Sequence, residues 1–471
     1  MKTYLFGIST YAHKMVESGI LSEYSIEGLF DNAAEKWGTE AFGLKIEEPY
    51  FSSEVEIIIA VKPSYYQEIM SQLLGMGYRR YTVFIKKSEG IYEKKVYDYS
   101  SKDYQSDKEN LVLLYLEHRS YSGICALEYM CANKLVNTYS FRIEMFDGNV
   151  NDPDYYYNLA AAKYIITERA WNIKNITAKL IQLWHGFPLK AMGHMLTHYN
   201  EQKNGYEDEF WSSFDCILSY GLNYTTFLTA CYGTLRERYR VTGMPRNDLL
   251  FLTDGKKNLA EKMTDSCGKK IVMYMPTFRA IMDGGITANG SDEGYLFFWK
   301  DFDFGKLEQF CAKNNIFFVF KLHPSDASKV REVAVQSRYI DILTDDMLGD
   351  KCTYEFLNAA DVLVTDYSSV YFDYLLLDRP IIFTDCDVDS YTENRGLMLE
   401  PLDFWRPGPV VNRMEDLLKT LEESLYGQDE YHLARERLMP FVHHYRDAGS
   451  TQRLFDLLLE MNESEELTCQ K

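Results

Sequence analysis

Asp361–Asp373 reads DVLVTDYSSVYFD. The apolar, β-branched run DVLVT stops at Asp366, two serines follow, and YFDYLLLD then has helical spacing, so the segment is predicted to be strand, tight turn and helix start. The first turn of a helix leaves backbone N–H groups unpaired and carries a partial positive charge. Ser368 and Ser369 therefore stand where hydroxyl donors can meet an anion, with phosphate the natural guest. The competing reading is a plain N-cap, because Ser and Asp are favoured there whether or not anything binds.

Similar strand ends surround this one. KKIVMYMPTFRA reads as a strand ending in Pro276-Thr277-Phe278-Arg279, and NNIFFVFKLHPSD as another ending at Lys321-Leu322-His323-Pro324. If the strands are parallel, these polar ends line one crevice. KLIQLWHGFPLKAMG is a further buried-strand run, broken by Gly186 and Pro188, so Trp184 and His185 stand at its carboxyl end. His185 titrates near neutrality and can take a proton from an attacking hydroxyl, unless it is simply a packed turn histidine. In VTGMPRND, Gly243 and Pro245 make a turn presenting Arg246, which as an isolated arginine reads first as a solvated surface residue.

The first 105 residues alternate strand-like and helix-like segments, from TYLFGI through VEIIIAV and YYQEIMSQLLGMG to YTVFI, as in a small nucleotide-binding fold. Its first turn keeps only Gly7 of a dinucleotide fingerprint, so structural or partner-docking roles rank above cofactor binding. Ile91–Asn110, polar and without apolar period, reads as a linker. A domain boundary is expected around Leu252–Lys270, a glycine-rich moving loop at Met282–Gly294, and a disordered end at ESEELTCQK.

With 471 residues, the chain predicts about three domains, and 46% hydrophobic residues can fill their cores. Fifty Lys plus Arg against seventy Asp plus Glu leave a net charge of −20, which argues against nonspecific binding of nucleic acid or anionic lipid. Nine cysteines without a CxxC pair read as reduced thiols, and the N-terminus lacks a signal-peptide core. A cytoplasmic protein is expected, at most peripheral on the inner face of the membrane. No metal-ligand cluster is visible, since His194 and His198 lack a third ligand and His443 and His444 face apart on a helix. No cofactor is implied, and need for a divalent cation is left open.

WHGFPLK, GMPRND, MPTFR, KLHP and TDYSSVYFDY, in this order over roughly Leu111–Leu454, resemble the CDP-glycerol glycerophosphotransferase family, which builds teichoic acids. Asp31, Asn32, Lys36, Trp37 and Gly38 also match the DNxxxKWG element of small modules attached to polysaccharide-building transferases. The resemblance implies an α/β fold of GT-B type, two facing Rossmann-like domains with an additional small N-terminal Rossmann-like module. It divides the chain into that module at 1–105, an acceptor-side domain at 106–258, a nucleotide-donor-binding domain at 259–440, and a C-terminal helix and tail at 441–471. The implied reaction moves glycerol phosphate, or a similar polyol phosphate, from a CDP-activated donor to an acceptor hydroxyl in teichoic-acid or capsular polymer synthesis, releasing CMP.

In the same terms, His185 and His323 are the implied catalytic residues. Trp184, Gly186, Phe187, Pro188, Arg246, Pro276, Thr277, Lys321, Leu322, Ser368, Ser369 and Asp373 are the implied donor-binding set, with Lys190, Arg279, Asp366 and Arg395 as further candidates. Asp373, one turn beyond Ser369, is expected to accept from ribose hydroxyls or to orient a serine, against the alternative of a helix-surface acid. Phe187, Ala191 and Ala280 stand where the family usually carries Thr, Lys and Asp. The expected partners are a CDP-glycerol or related CDP-polyol donor and a lipid-linked or glycan acceptor, with no nucleic acid. Peripheral membrane contact and a protein partner for the N-terminal module are further expectations. Two other functions remain open: a glycosyltransferase using a nucleotide sugar, and a catalytically silent assembly protein.

Overall fold

The structure is a computed structural model that describes residues 1–469 except 89, 120, 169–176, 197–200, 278–298, 300, 323–335, 385–387, 389–391 and 393–395. The expected loop at Met282–Gly294 lies outside the described residues. The chain divides into two compact units: 1–115 with 140–165 and 170–179, and 116–139 with 166–169 and 180–471.

In the first unit, five parallel strands lie in the order Leu44–Glu47, Ile26–Phe30, Lys2–Phe6, Val55–Ile59, Arg80–Ser88. Glu40–Ala41 and Ile91–Asp98 add antiparallel edges. Leu5, Ile8, Met15, Leu29, Ile58 and Phe84 pack its core. This is a nucleotide-binding strand order, but its phosphate turn is already occupied. Asp31 Oδ2 accepts from Ile8 N at 2.7 Å and from Lys36 Nζ at 2.9 Å, and Trp37 donates to the Asp31 carbonyl at 2.8 Å. The DNxxxKWG residues thus brace their own loop.

Ile91–Asn110 is not a linker. Ile91–Asp98 pairs antiparallel along Arg80–Ser88, and Tyr104–Asn110 is a helix capped by Asp103. Tyr97 is buried while Glu93, Lys94 and Asp98 are exposed. An edge strand buries few of its side chains, which is why its composition resembles a linker's. In the same unit Leu111–Tyr115 pairs in parallel with Arg142–Phe146.

In the second unit the strand ending at Gln182 pairs in parallel with Cys216–Ser219, and that strand with Tyr239–Val241. A separate six-stranded sheet is parallel throughout, in the order Ile340–Ile342, Ile316–Phe320, Lys270–Tyr274, Val362–Thr365, Ile381–Thr384, Val410–Val411. Numbered along the chain this is 3-2-1-4-5-6, a doubly wound sheet whose order reverses between Lys270–Tyr274 and Val362–Thr365. Its strands are buried on both faces and so read as continuous apolar runs. The C-terminal end is not disordered: Ser450–Cys469 is helical, Leu and Glu continuing the helix across ESEELT.

Candidate functional site

Ligands of doubly wound sheets bind beyond the strands' carboxyl ends, at the point where strand order reverses. Here that point lies between Met275-Pro276-Thr277 and Asp366-Tyr367-Ser368-Ser369, all in the second unit. Thr277 N donates to Asp366 Oδ1 at 2.7 Å and Thr365 Oγ1 to the Met275 carbonyl at 2.7 Å, so Asp366, itself buried, ties the two strand ends together. Pro276 is half-buried and Thr277 buried. On the adjacent strand Lys321 is buried, its Nζ 2.5 Å from Asp345 Oδ1 and 5.3 Å from the Tyr121 ring centre. Leu322 beside it is buried, and His323, Arg279 and Arg395 lie outside the described residues.

Ser368 and Ser369 are half-buried ahead of Val370–Tyr374, a single helical turn continued by Leu375–Leu377. Ser369 occupies the N-cap position but its side chain makes no capping hydrogen bond, so capping does not explain its hydroxyl.

The loop after Gln182 meets this turn from the unit's other strands. Leu183 N donates to the Thr167 carbonyl at 2.8 Å, and Trp184 N to Gln182 Oε1 at 2.9 Å, which holds Trp184 at a φ of 57°. The Trp184 ring lies 4.0 Å from that of His185 and 4.8 Å from Trp211. His185 is exposed. Gly186 has a φ of 155°, and a Cβ built on it would run into Ser369 Oγ and lie 3.6 Å from Arg246 Nη2. Only glycine permits this close approach. Phe187 is buried among Tyr220, Tyr224, Phe372 and Trp405, with Phe372 at 4.6 Å. It is a packing residue that anchors the loop, and a threonine there would leave a void in the ring cluster. Pro188 is buried, and Leu189–Ala191 runs beside Gly396–Met398, with Lys190 bridged to Leu397.

Arg246 overturns the surface reading. It lies in the first turn of the helix Pro245–Leu252 and is buried, Nη2 donating to Asp373 Oδ2 at 2.7 Å and to the Tyr220 hydroxyl at 3.1 Å. Asp373 is no surface acid either, with 0% of its side chain exposed. Tyr220 donates to its Oδ1 at 2.7 Å, Asn247 Nδ2 to Oδ1 at 2.9 Å and Tyr354 to Oδ2 at 2.5 Å. With Arg246 these donors take all four acceptor positions of a carboxylate, leaving none for a ribose hydroxyl. Burial opposes the Arg246 charge, but Asp373 together with Tyr220, Tyr354 and Glu168 outweighs it and holds the guanidinium above its ordinary pKa. Burial likewise keeps the Tyr220 and Tyr354 phenols protonated well past their usual range. Asp248, next in the motif, accepts from Ser450 N at 3.0 Å and Thr451 N at 2.7 Å and so caps the C-terminal helix.

Residues 83–460 match the model of the family described as CDP-Glycerol:Poly(glycerophosphate) glycerophosphotransferase. The chain belongs to this family. Among relatives of this glycerophosphotransferase-family chain, the teichoic acid ribitol-phosphate polymerase TarK of Staphylococcus aureus is 28% identical over 236 residues, covering 48% of this chain and 42% of TarK. The teichoic acid glycerol-phosphate transferase of the same species is 28% identical over 304 residues, covering 60% of this chain and 72% of that protein. The chain thus spans less than half the length of TarK. The solved wall teichoic acid polymerase TagF superposes with a TM-score of 0.61 at 21% identity, covering 77% of this chain and 92% of TagF. The fold is α/β of the GT-B type.

Sequence reading missed Tyr220, Asn247 and Tyr354 in this glycerophosphotransferase-family site. Asn247 follows Arg246 directly and was legible as part of the motif, whereas nothing local marks either tyrosine. Among the described residues no cluster of His, Cys, Asp and Glu is arranged to hold a metal ion, and no helix is long and apolar enough to cross a membrane. His194 pairs with Asp208 at 2.7 Å, and buried His443 meets the Phe372 carbonyl at 2.6 Å.

Proposed function

We propose that this protein transfers glycerol phosphate, or a similar polyol phosphate, from a CDP-activated donor to an acceptor hydroxyl in teichoic-acid or capsular polymer synthesis, releasing CMP. The observation that carries the reading is the approach of half-buried Ser369 and buried Arg246 to Gly186, the residue after exposed His185, beside the switch point of a doubly wound sheet, in a chain of this family.

The acceptor hydroxyl attacks the phosphorus bearing the polyol. The new P–O bond forms as the bond to the bridging oxygen breaks, CMP leaves with that oxygen, and His185 takes the acceptor's proton. Charge grows on the nonbridging and leaving oxygens, where the serine hydroxyls and Arg246 supply donors. Trp184, Gly186 and Pro188 shape the loop, while Pro276, Thr277, Lys321 and Leu322 line the donor side. His323 is proposed as a second catalytic group, and Arg279 and Arg395 as further donor-site candidates. The acceptor is a lipid-linked or glycan hydroxyl, reached at the membrane's inner face by peripheral contact or a protein partner. The relatives use both polyols in their names, ribitol phosphate for one and glycerol phosphate for another, so the polyol is the variable to test.

Purified protein incubated separately with CDP-glycerol, CDP-ribitol and UDP-sugars, each with a lipid-linked acceptor extract, tests this. CMP released from one CDP-polyol is the expected result. Release of a nucleoside diphosphate means glycosyl transfer, and release from none with an acceptor extract that serves a known family member means an assembly role.

A further inference from the structure

A buried arginine paired with a buried aspartate ordinarily meets it as a two-pronged fork, both carboxylate oxygens accepting from one edge of the guanidinium. Here only Nη2 reaches Asp373, at 2.7 Å. The remaining acceptor positions are taken by Tyr220, Asn247 and Tyr354. Tyr220 donates to Asp373 and accepts from Arg246 Nη2 at 3.1 Å, and the guanidinium carbon lies 4.8 Å from the Tyr354 ring centre. The cation is thereby held at one nitrogen and against one face. Its Nε is buried with no hydrogen-bond partner, a costly state for a charged group that the two-pronged pair would relieve and the crowding of donors around Asp373 prevents. Nη2 also lies 3.6 Å from the position a Gly186 Cβ would take, beside Ser369.

We infer that Tyr220, Tyr354 and Asn247 are positioning residues, which through Asp373 hold the Arg246 guanidinium in one orientation at the Gly186–Ser369 contact, so that its charge faces a phosphate of the donor there. The inference rests on the proposed phosphotransfer. If the tyrosine hydroxyls were absent, lone pairs would open on Asp373. The guanidinium would then close into a two-pronged pair with it and turn away from the Gly186–Ser369 contact. Asp373 and the tyrosines act through Arg246 and do not touch the reacting atoms.

The test is a double-mutant cycle on CMP release, with kcat and KM separated. Tyr220→Phe and Tyr354→Phe keep the rings and remove the hydroxyls. Each is expected to lower kcat about tenfold, the worth of one hydrogen bond, in protein shown to be folded at the assay temperature by a separately measured melting temperature. In an Arg246→Ala background the same substitutions are expected to cost nothing further, and Arg246→Gln serves if that variant does not fold. Equal losses in both backgrounds, or no loss in either, overturn the inference. A wild-type protein that releases no CMP sinks the phosphotransfer reading instead. The cage is then judged by the Arg246 Nε–H resonance of arginine-labelled protein. A resonance that shifts and exchanges more slowly in Tyr220→Phe, as the Nε–H closes onto Asp373, supports the cage, and a resonance unchanged by Tyr220→Phe rejects it.

Discussion

Arg246 Nη2 lies 2.7 Å from Asp373 Oδ2 across 127 residues of chain, with 4% and 0% of the two side chains exposed. Removing one partner of a buried pair strands the other as an uncompensated charge. Asp373→Ala is therefore expected to cost about 3–5 kcal/mol in urea unfolding. A loss within experimental error would show that the pair is solvated in solution.

Gly186→Ala is expected to weaken binding of the CDP donor by at least about tenfold, because the new methyl group displaces Ser369 Oγ and strains a φ of 155°. Calorimetry with CDP-glycerol measures it, and unaltered affinity would mean that Ser369 is not at the donor.

Ser368→Ala combined with Ser369→Ala should weaken the same binding while leaving the melting temperature unchanged, since the Ser369 side chain makes no capping bond. A drop in melting temperature with intact binding would return the pair to a structural role.

His185 is exposed, so its removal leaves the core alone. His185→Ala is expected to lower turnover by about two to four decades, as for loss of a general base. Full turnover in the variant removes that assignment.

Burial lowers the His443 pKa below its ordinary value, the imidazole meeting the Phe372 carbonyl at 2.6 Å. The unfolded chain then binds this proton more readily than the folded one. Stability is unaffected well above about pH 6.5 and falls as the pH drops below it. His443→Gln is expected to flatten that acid-side decline in melting temperature relative to wild type, and parallel curves would assign the decline to other groups.

The hydrophobic pattern was enough to locate the strand, turn and helix at Asp361–Asp373, because a strand buried on both faces must read as an unbroken apolar run. It failed at Ile91–Asp98, where an edge strand buries few side chains and its charges mask the alternation. The disorder expected of ESEELTCQK failed for a related reason, since acidic composition does not exclude a helix.

Strand ends and their polar residues were likewise legible one by one, as were the motifs that mark the family. Sequence alone determined the α/β alternation, the candidate histidine, arginine and serines, and the glycine breaking the strand run. Tertiary structure decided their partners. Asp373 looks like a donor ligand or a surface acid until Tyr220, Asn247, Arg246 and Tyr354 close around it. Phe187 looks like a lost hydroxyl until its ring cluster is seen. The strand order that puts Thr277 beside Asp366 is likewise a matter of long-range pairing. Periodicity is local and survives in the sequence, whereas a carboxylate's charge state and accessibility depend on which distant donors reach it.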